Sequence, residues 1–163
     1  MRAIITSITE TAMNRLHRWF VWIVVDLLAM VGGAHAHAAG KLGVVDAWIR
    51  LAPPGAGMLA GYATLSNTGD APITVLTVQS NAFRMASLHE TIVDKGVAKM
   101  RDIHRLVIAP GATTTLEPGG KHLMLMQPRH DIVAGEKVEV MFLLNDGTRV
   151  ETHFDVPVAD PEK

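Results

Sequence analysis

The 163-residue chain contains no cysteine. This absence excludes a disulfide framework, thiolate zinc sites and cysteine nucleophiles. It also suits an oxidising compartment, where metal-binding thiolates would be at risk of forming disulfides. Any soft metal ligand in this protein must therefore be a methionine.

The chain also lacks the signals of a nucleic-acid-binding protein and of an enzyme. Its formal net charge is −1, and lysine and arginine are spread along the sequence without a basic stripe. There is no G-x-S-x-G elbow and no H-E-x-x-H helix. His89-Glu90 resembles the start of the latter motif, but Val93 and Asp94 follow where the second histidine should stand. The sequence predicts neither catalysis nor nucleic-acid binding.

The N-terminal region has the layout of a secretory signal peptide. A basic stretch at 15–18 precedes the apolar run WFVWIVVDLLAMVGGA, and AHAHAA then offers small residues for cleavage. We therefore expect a signal peptide helix over residues 1–38 and a bacterial, periplasmic protein.

The remaining chain, residues 39–163, is expected to form one domain. Residues 1–12 exceed an ordinary n-region, so Met13 is an alternative start. An uncleaved membrane anchor is the alternative to cleavage, although Asp26 interrupts the apolar run and the run is shorter than the ~20 residues of a span.

Beyond residue 40 the sequence consists of short alternating segments separated by Gly, Pro, Asn and Asp. Nothing there has a helical period, and strands at this spacing predict an antiparallel β-sandwich or barrel. Asn145-Asp146-Gly147 is a strong hairpin signal between the last two strands. We expect a core of Val, Leu and Ile together with Trp48 and Phe142.

Two pairs of candidate metal ligands stand out. His122 and Met124 lie two residues apart in KHLMLMQ, so in a strand they project to the same face as Met126. His89 and Met100 flank a turn at Asp94-Lys95-Gly96. A three-residue loop there, with Gly96 left-handed, would make His89 and Met100 cross-strand neighbours to within one residue.

The chemistry of this donor set favours copper. Thioether sulfur is soft and selects Cu(I), whereas imidazole accepts several metals. Methionine in a strand is more often a core-filling residue, so the hypothesis depends on the set of four and its spacing.

That spacing resembles a known family. His89, Met100, His122 and Met124 read as H-x10-M-x21-H-x-M, which is similar to the periplasmic copper chaperones called PCuAC. The resemblance extends over about residues 43–157 and includes VVDAWIRLAPPGAG, GYATLSNTGDAPITVL, LHETIVDKGVAKMR and LEPGGKHLMLM. Two positions depart from it. Glu90 stands where some members carry methionine, and His104 is outside the pattern, so we interpret it as solvent-facing.

The resemblance implies a cupredoxin-like or Ig-like β-sandwich that binds Cu(I) through His89, Met100, His122 and Met124. It implies a carrier that passes copper to an accepting protein, either a cytochrome c oxidase subunit or another assembly chaperone, and we expect the protein to be a monomer. Two alternatives stay open: a metal-free scaffold or adhesion sandwich whose His and Met belong to the core, and a copper-storage or redox protein.

Overall fold

The computed structural model describes residues 41–53, 55–159 and 161, and this part of the chain is all β. The predicted signal peptide and its boundary lie outside the described residues. Among the described residues, no helix is long and apolar enough to cross a membrane. The ten strands are β1 (Leu42–Arg50), β2 (Met58–Asn67), β3 (Ile73–Ser80), β4 (Phe83–Asp94), β5 (Val97–Asp102), β6 (Leu106–Ile108), β7 (Thr113–Leu116), β8 (Lys121–Pro128), β9 (Lys137–Leu144) and β10 (Arg149–Asp155).

The strands follow the order β5-β4-β8-β2-β1-β10-β9-β3-β6, and β7 pairs with β2 beyond the end of β8. The pairings are antiparallel except that of β1 with β10, which is parallel and makes the sheet mixed. The all-β, sandwich-like prediction is confirmed. One end of the order places β5, β4, β8 and β2 side by side, and this is where the candidate ligands lie.

The core is built from the inward faces of both halves of the strand order. Phe142 and Phe154 are fully buried with ring centroids 6.5 Å apart, and Leu123 and Leu125 of β8 are fully buried as well. The expected place of Phe142 in the core is confirmed. No methionine belongs to this core within the described residues, so methionine here is not the usual gap filler.

The prediction that Trp48 belongs to the core is wrong. Its ring is half-buried and packs on Tyr62 with centroids 4.7 Å apart, beneath the Arg50 guanidinium. The cause is a β-bulge near Asp46, where φ is +52° and the β1–β2 register shifts between Val45 and Trp48. One extra residue reverses which side chains face inward, and Trp48 is carried to the outer face.

Candidate metal centre

The two histidines of the predicted set meet on adjacent strands. His89 of β4 is directly opposite His122 of β8. Residues opposite each other in an antiparallel pair point to the same face, and the imidazole rings are 6.1 Å apart between centroids with an angle of 28° between their planes. Both side chains are mostly shielded from solvent, with 12% of the His89 side chain and 7% of His122 exposed.

The hairpin that carries Met100 differs from the expected one. Its loop has two residues, Lys95 and Gly96, both with positive φ (+52° and +81°), as a type I′ turn requires. Gly96 is left-handed as predicted, but the loop is one residue shorter. Met100 therefore lies opposite Thr91, and the position opposite His89 is taken by Asp102. The predicted near-direct pairing of His89 with Met100 is wrong.

The corrected register still places all four predicted ligands on one face. Met124 is opposite Ser87, two residues before His89, and Met100 is opposite Thr91, two residues after it. Each methionine is thus a diagonal neighbour of His89, at about 7–8 Å between backbones. His89 lies at the middle of the set, with His122 and Met124 on one neighbouring strand and Met100 on the other.

A backbone hydrogen bond fixes the tautomer of His122. Its Nδ1–H donates to the carbonyl of Gly120 at 3.1 Å. With the proton on Nδ1, the lone pair that can bind a metal is on Nε2. Such a hydrogen bond on the far nitrogen is the usual way of orienting a ligating imidazole.

Asp102 fixes the tautomer of His89 in the same way. Its Oδ1 lies 3.1 Å from His89 Nδ1, so Nδ1–H donates to the carboxylate and Nε2 carries the lone pair. The Ser87 hydroxyl donates to that Nε2 at 2.8 Å and must move aside when a metal binds. Sequence reasoning missed Asp102 and Ser87. The signal for Asp102 was the turn length, since a two-residue loop puts it opposite His89.

The other face of the same strands holds a charged cluster that ties them together. Glu90 accepts hydrogen bonds from Lys121 of β8 at 2.9 Å and from Arg101 of β5 at 2.6 Å. These two bonds, with Lys121 the stronger influence, hold the pKa of Glu90 below its usual value. The departure from the family pattern at Glu90 thus has a structural role on the side away from the candidate ligands.

The candidate ligands combine imidazole nitrogens with softer thioether sulfurs. Within the part of the chain that the structure describes, no three His, Cys, Asp or Glu side chains come together as metal ligands. Met100 and Met124 lie on the same face as His89 and His122, on either side of His89 in the register, and are thus candidate additional ligands. Two imidazoles and two thioethers suit a soft monovalent ion. His104, in contrast, is exposed beyond the end of β5, as expected.

Comparison with solved structures supports the fold around this site. The copper-bound PCuAC domain of PmoF2 superposes with a TM-score of 0.62 at 22% identity, covering 77% of this chain and 99% of that domain. The solution structure of CuI-DR1885 from Deinococcus radiodurans superposes with a TM-score of 0.60 at 27% identity, covering 80% of this chain and 87% of the other.

Comparison with sequences shows the family. The putative lipoprotein Lxx21020 of Leifsonia xyli subsp. xyli (strain CTCB07) is 34% identical over 132 residues, which is 78% of this chain and 77% of that protein. The model of the LpqE-like family, described as putative lipoprotein LpqE-like, matches residues 42–158, which include every strand described above. The chain therefore belongs to the LpqE-like family, with PCuAC domains as its structural neighbours.

Proposed function

We propose that this protein is an exported Cu(I) chaperone that holds one copper ion through His89, Met100, His122 and Met124. The observation that carries the proposal is the direct pairing of His89 with His122. Each has its Nδ1 hydrogen-bonded, so the metal-binding lone pair is on Nε2, which on His89 becomes accessible once the Ser87 hydroxyl moves aside. The PmoF2 PCuAC domain was solved with copper bound and the Deinococcus protein with Cu(I), which agrees with this chemistry.

The ligands favour carriage over catalysis. None of the four is a thiolate, and the set offers no blue-copper centre. Both thioethers are neutral, so the ion can leave by exchange with the ligands of a partner. Met100 is the natural first ligand to be exchanged, because it is 60% exposed on β5, the edge strand of the sheet.

We propose a copper-accepting protein of the same compartment as the recipient. The PCuAC resemblance suggests the assembly of the cytochrome c oxidase copper sites, through the oxidase subunit itself or another chaperone. Export by a signal peptide over residues 1–38 is part of the same proposal, and the lipoprotein description of the family agrees with an exported protein.

The test is anaerobic Cu(I) titration of the purified protein in competition with a chromophoric chelator. We expect tight binding in wild type and a loss of more than about 100-fold in a His122→Ala/Met124→Ala variant, because losing a ligand costs more than the ~10–100-fold of losing a ligand's hydrogen-bonding partner. The matched control is His153→Ala/Met141→Ala, which removes one histidine and one methionine from β10 and β9. Binding that survives the first change would refute the site.

A further inference from the structure

The methionines of this protein are concentrated on one face. Of the six in the described residues, five lie on the face of β2, β8, β4 and β5 that carries the paired histidines: Met58, Met85, Met100, Met124 and Met126. Met100 and Met124 belong to the site already described. The other three remain unexplained by it.

These three form a continuous row across three strands. Met126 of β8 is directly opposite Met85 of β4 on one side and directly opposite Met58 of β2 on the other. Directly opposite side chains have Cβ atoms about 4.5–5.5 Å apart. The three flexible thioethers can therefore converge above the middle strand, because each has three rotatable bonds.

Core packing does not account for this row. Met58 and Met85 are 50% and 55% exposed, and the inward face beneath Met126 is filled by Leu125, which is fully buried. A leucine or a polar residue would serve equally well at an exposed strand position. Three thioethers in register on a solvent-accessible face are instead a donor set for a soft monovalent ion.

We propose that Met58, Met85 and Met126, here called the methionine row, form a second Cu(I) site made of thioethers alone. The inference rests on the proposed Cu(I) function. Met126 and Met124 are two residues apart on β8, about 6.6–6.8 Å along the strand. An ion held by the row therefore lies one step from the histidine site.

The row acts as a weaker entry site that passes its ion to Met124 and the two imidazoles. Transfer is ligand exchange. Copper stays Cu(I), each departing thioether leaves as a neutral donor, and each arriving imidazole brings the Nε2 lone pair already set by Gly120 or Asp102. No electron or proton is exchanged. The direction of transfer follows from the added imidazole ligands, which complete a four-ligand shell that the row lacks.

The experiment is anaerobic Cu(I) titration of the full chain with stoichiometry measured against chelators of graded affinity. We expect two equivalents in wild type, the second weaker, and one equivalent in Met58→Leu/Met85→Leu/Met126→Leu. The matched control is Met141→Leu on β9, which should still bind both equivalents of Cu(I). The retained tight equivalent shows that the triple variant is folded, and the single change Met126→Leu should weaken the second equivalent by itself.

A second measurement isolates the row. In a variant that replaces all four proposed ligands of the histidine site, His89→Ala/Met100→Leu/His122→Ala/Met124→Leu, copper K-edge absorption of the remaining bound Cu(I) should show a shell of sulfur without imidazole nitrogen. A single wild-type equivalent that is unaffected by the triple change would overturn the row and leave the chaperone proposal intact. Tight binding lost in the triple variant but kept in His122→Ala/Met124→Ala would support the row and refute the proposed histidine site.

Discussion

Two of the hairpins of this protein, β4–β5 and β9–β10, have opposite roles. The hairpin of β9 and β10 supplies Val138, Val140, Phe142 and Phe154 to the core, all essentially inaccessible to solvent. In the hairpin of β4 and β5, every residue of β5 is exposed. Because β5 has no packing role, its side chains are determined by surface chemistry, and they include Met100 and Asp102. The comparison shows a hairpin that stabilises the core beside a hairpin whose outer strand is free to carry the proposed metal ligand Met100.

The largest expected effect comes from the core hairpin. Phe142→Ala should lower the free energy of unfolding by about 3–5 kcal/mol, since it leaves a large cavity between the two halves of the fold. The measurement is denaturant unfolding followed by circular dichroism. Val97→Ala on exposed β5 is the counterpart and should change stability by less than about 0.5 kcal/mol. Similar losses for the two variants would contradict the division of roles.

The next effect concerns Asp102, which acts through His89. Asp102→Asn should weaken Cu(I) binding about 10–100-fold, because a neutral amide holds the Nδ1–H tautomer of His89 less firmly. Chelator competition measures it. The matched control is Asp94→Asn in the same hairpin, where the carboxylate pairs with Lys99. Equal losses from both changes would mean that only surface charge matters.

A smaller effect of opposite sign is expected at Ser87. Its hydroxyl occupies His89 Nε2, so copper must displace a hydrogen bond of about 0.5–1.5 kcal/mol. Ser87→Ala should therefore bind Cu(I) about 2–10-fold more tightly. Ser66→Ala on β2 is the control and should have no effect. Weaker binding in Ser87→Ala would show that the serine supports the ligand instead of competing with copper.

The smallest effect belongs to Glu90, which joins β4 to β5 and β8. Its pKa is lowered by Lys121 and Arg101, so its contribution to stability is fully present above its ordinary pKa of 4.5 and is lost as the pH falls through the folded-state value. Glu90→Gln should thus be slightly less stable than wild type at pH 7, and the difference should vanish in acid. A difference that grows on acidification would contradict this sign. Urea midpoints across the pH series provide the measurement.

Local pattern was enough to predict much of the fold and the shared face of two of the proposed ligands. The alternation in KHLMLMQ correctly separates His122, Met124 and Met126 from the buried Leu123 and Leu125. The turn at Asn145-Asp146-Gly147 is also where it was expected, with Gly147 left-handed at φ +85°. Both depend only on neighbouring residues, which is why period and turn chemistry suffice.

The features that could not be predicted depend on strand pairings that shift when a loop or strand gains or loses a single residue. Lys95 adopts a positive φ that sequence rules assign to Gly or Asn, and the resulting shorter loop places Asp102 beside His89. The bulge near Asp46 moves Trp48 out of the core. The pairing of His89 with His122 and the methionine row both require β8 to lie between β4 and β2, a long-range arrangement that no local pattern specifies.

The most direct test of the central claim is copper K-edge X-ray absorption of the wild-type protein loaded with one equivalent of Cu(I). The account predicts two imidazole nitrogens and two thioether sulfurs around the ion, with one sulfur lost in Met124→Leu. A shell without sulfur, or one unchanged in Met124→Leu, would contradict the assignment of His89, Met100, His122 and Met124 as the copper ligands.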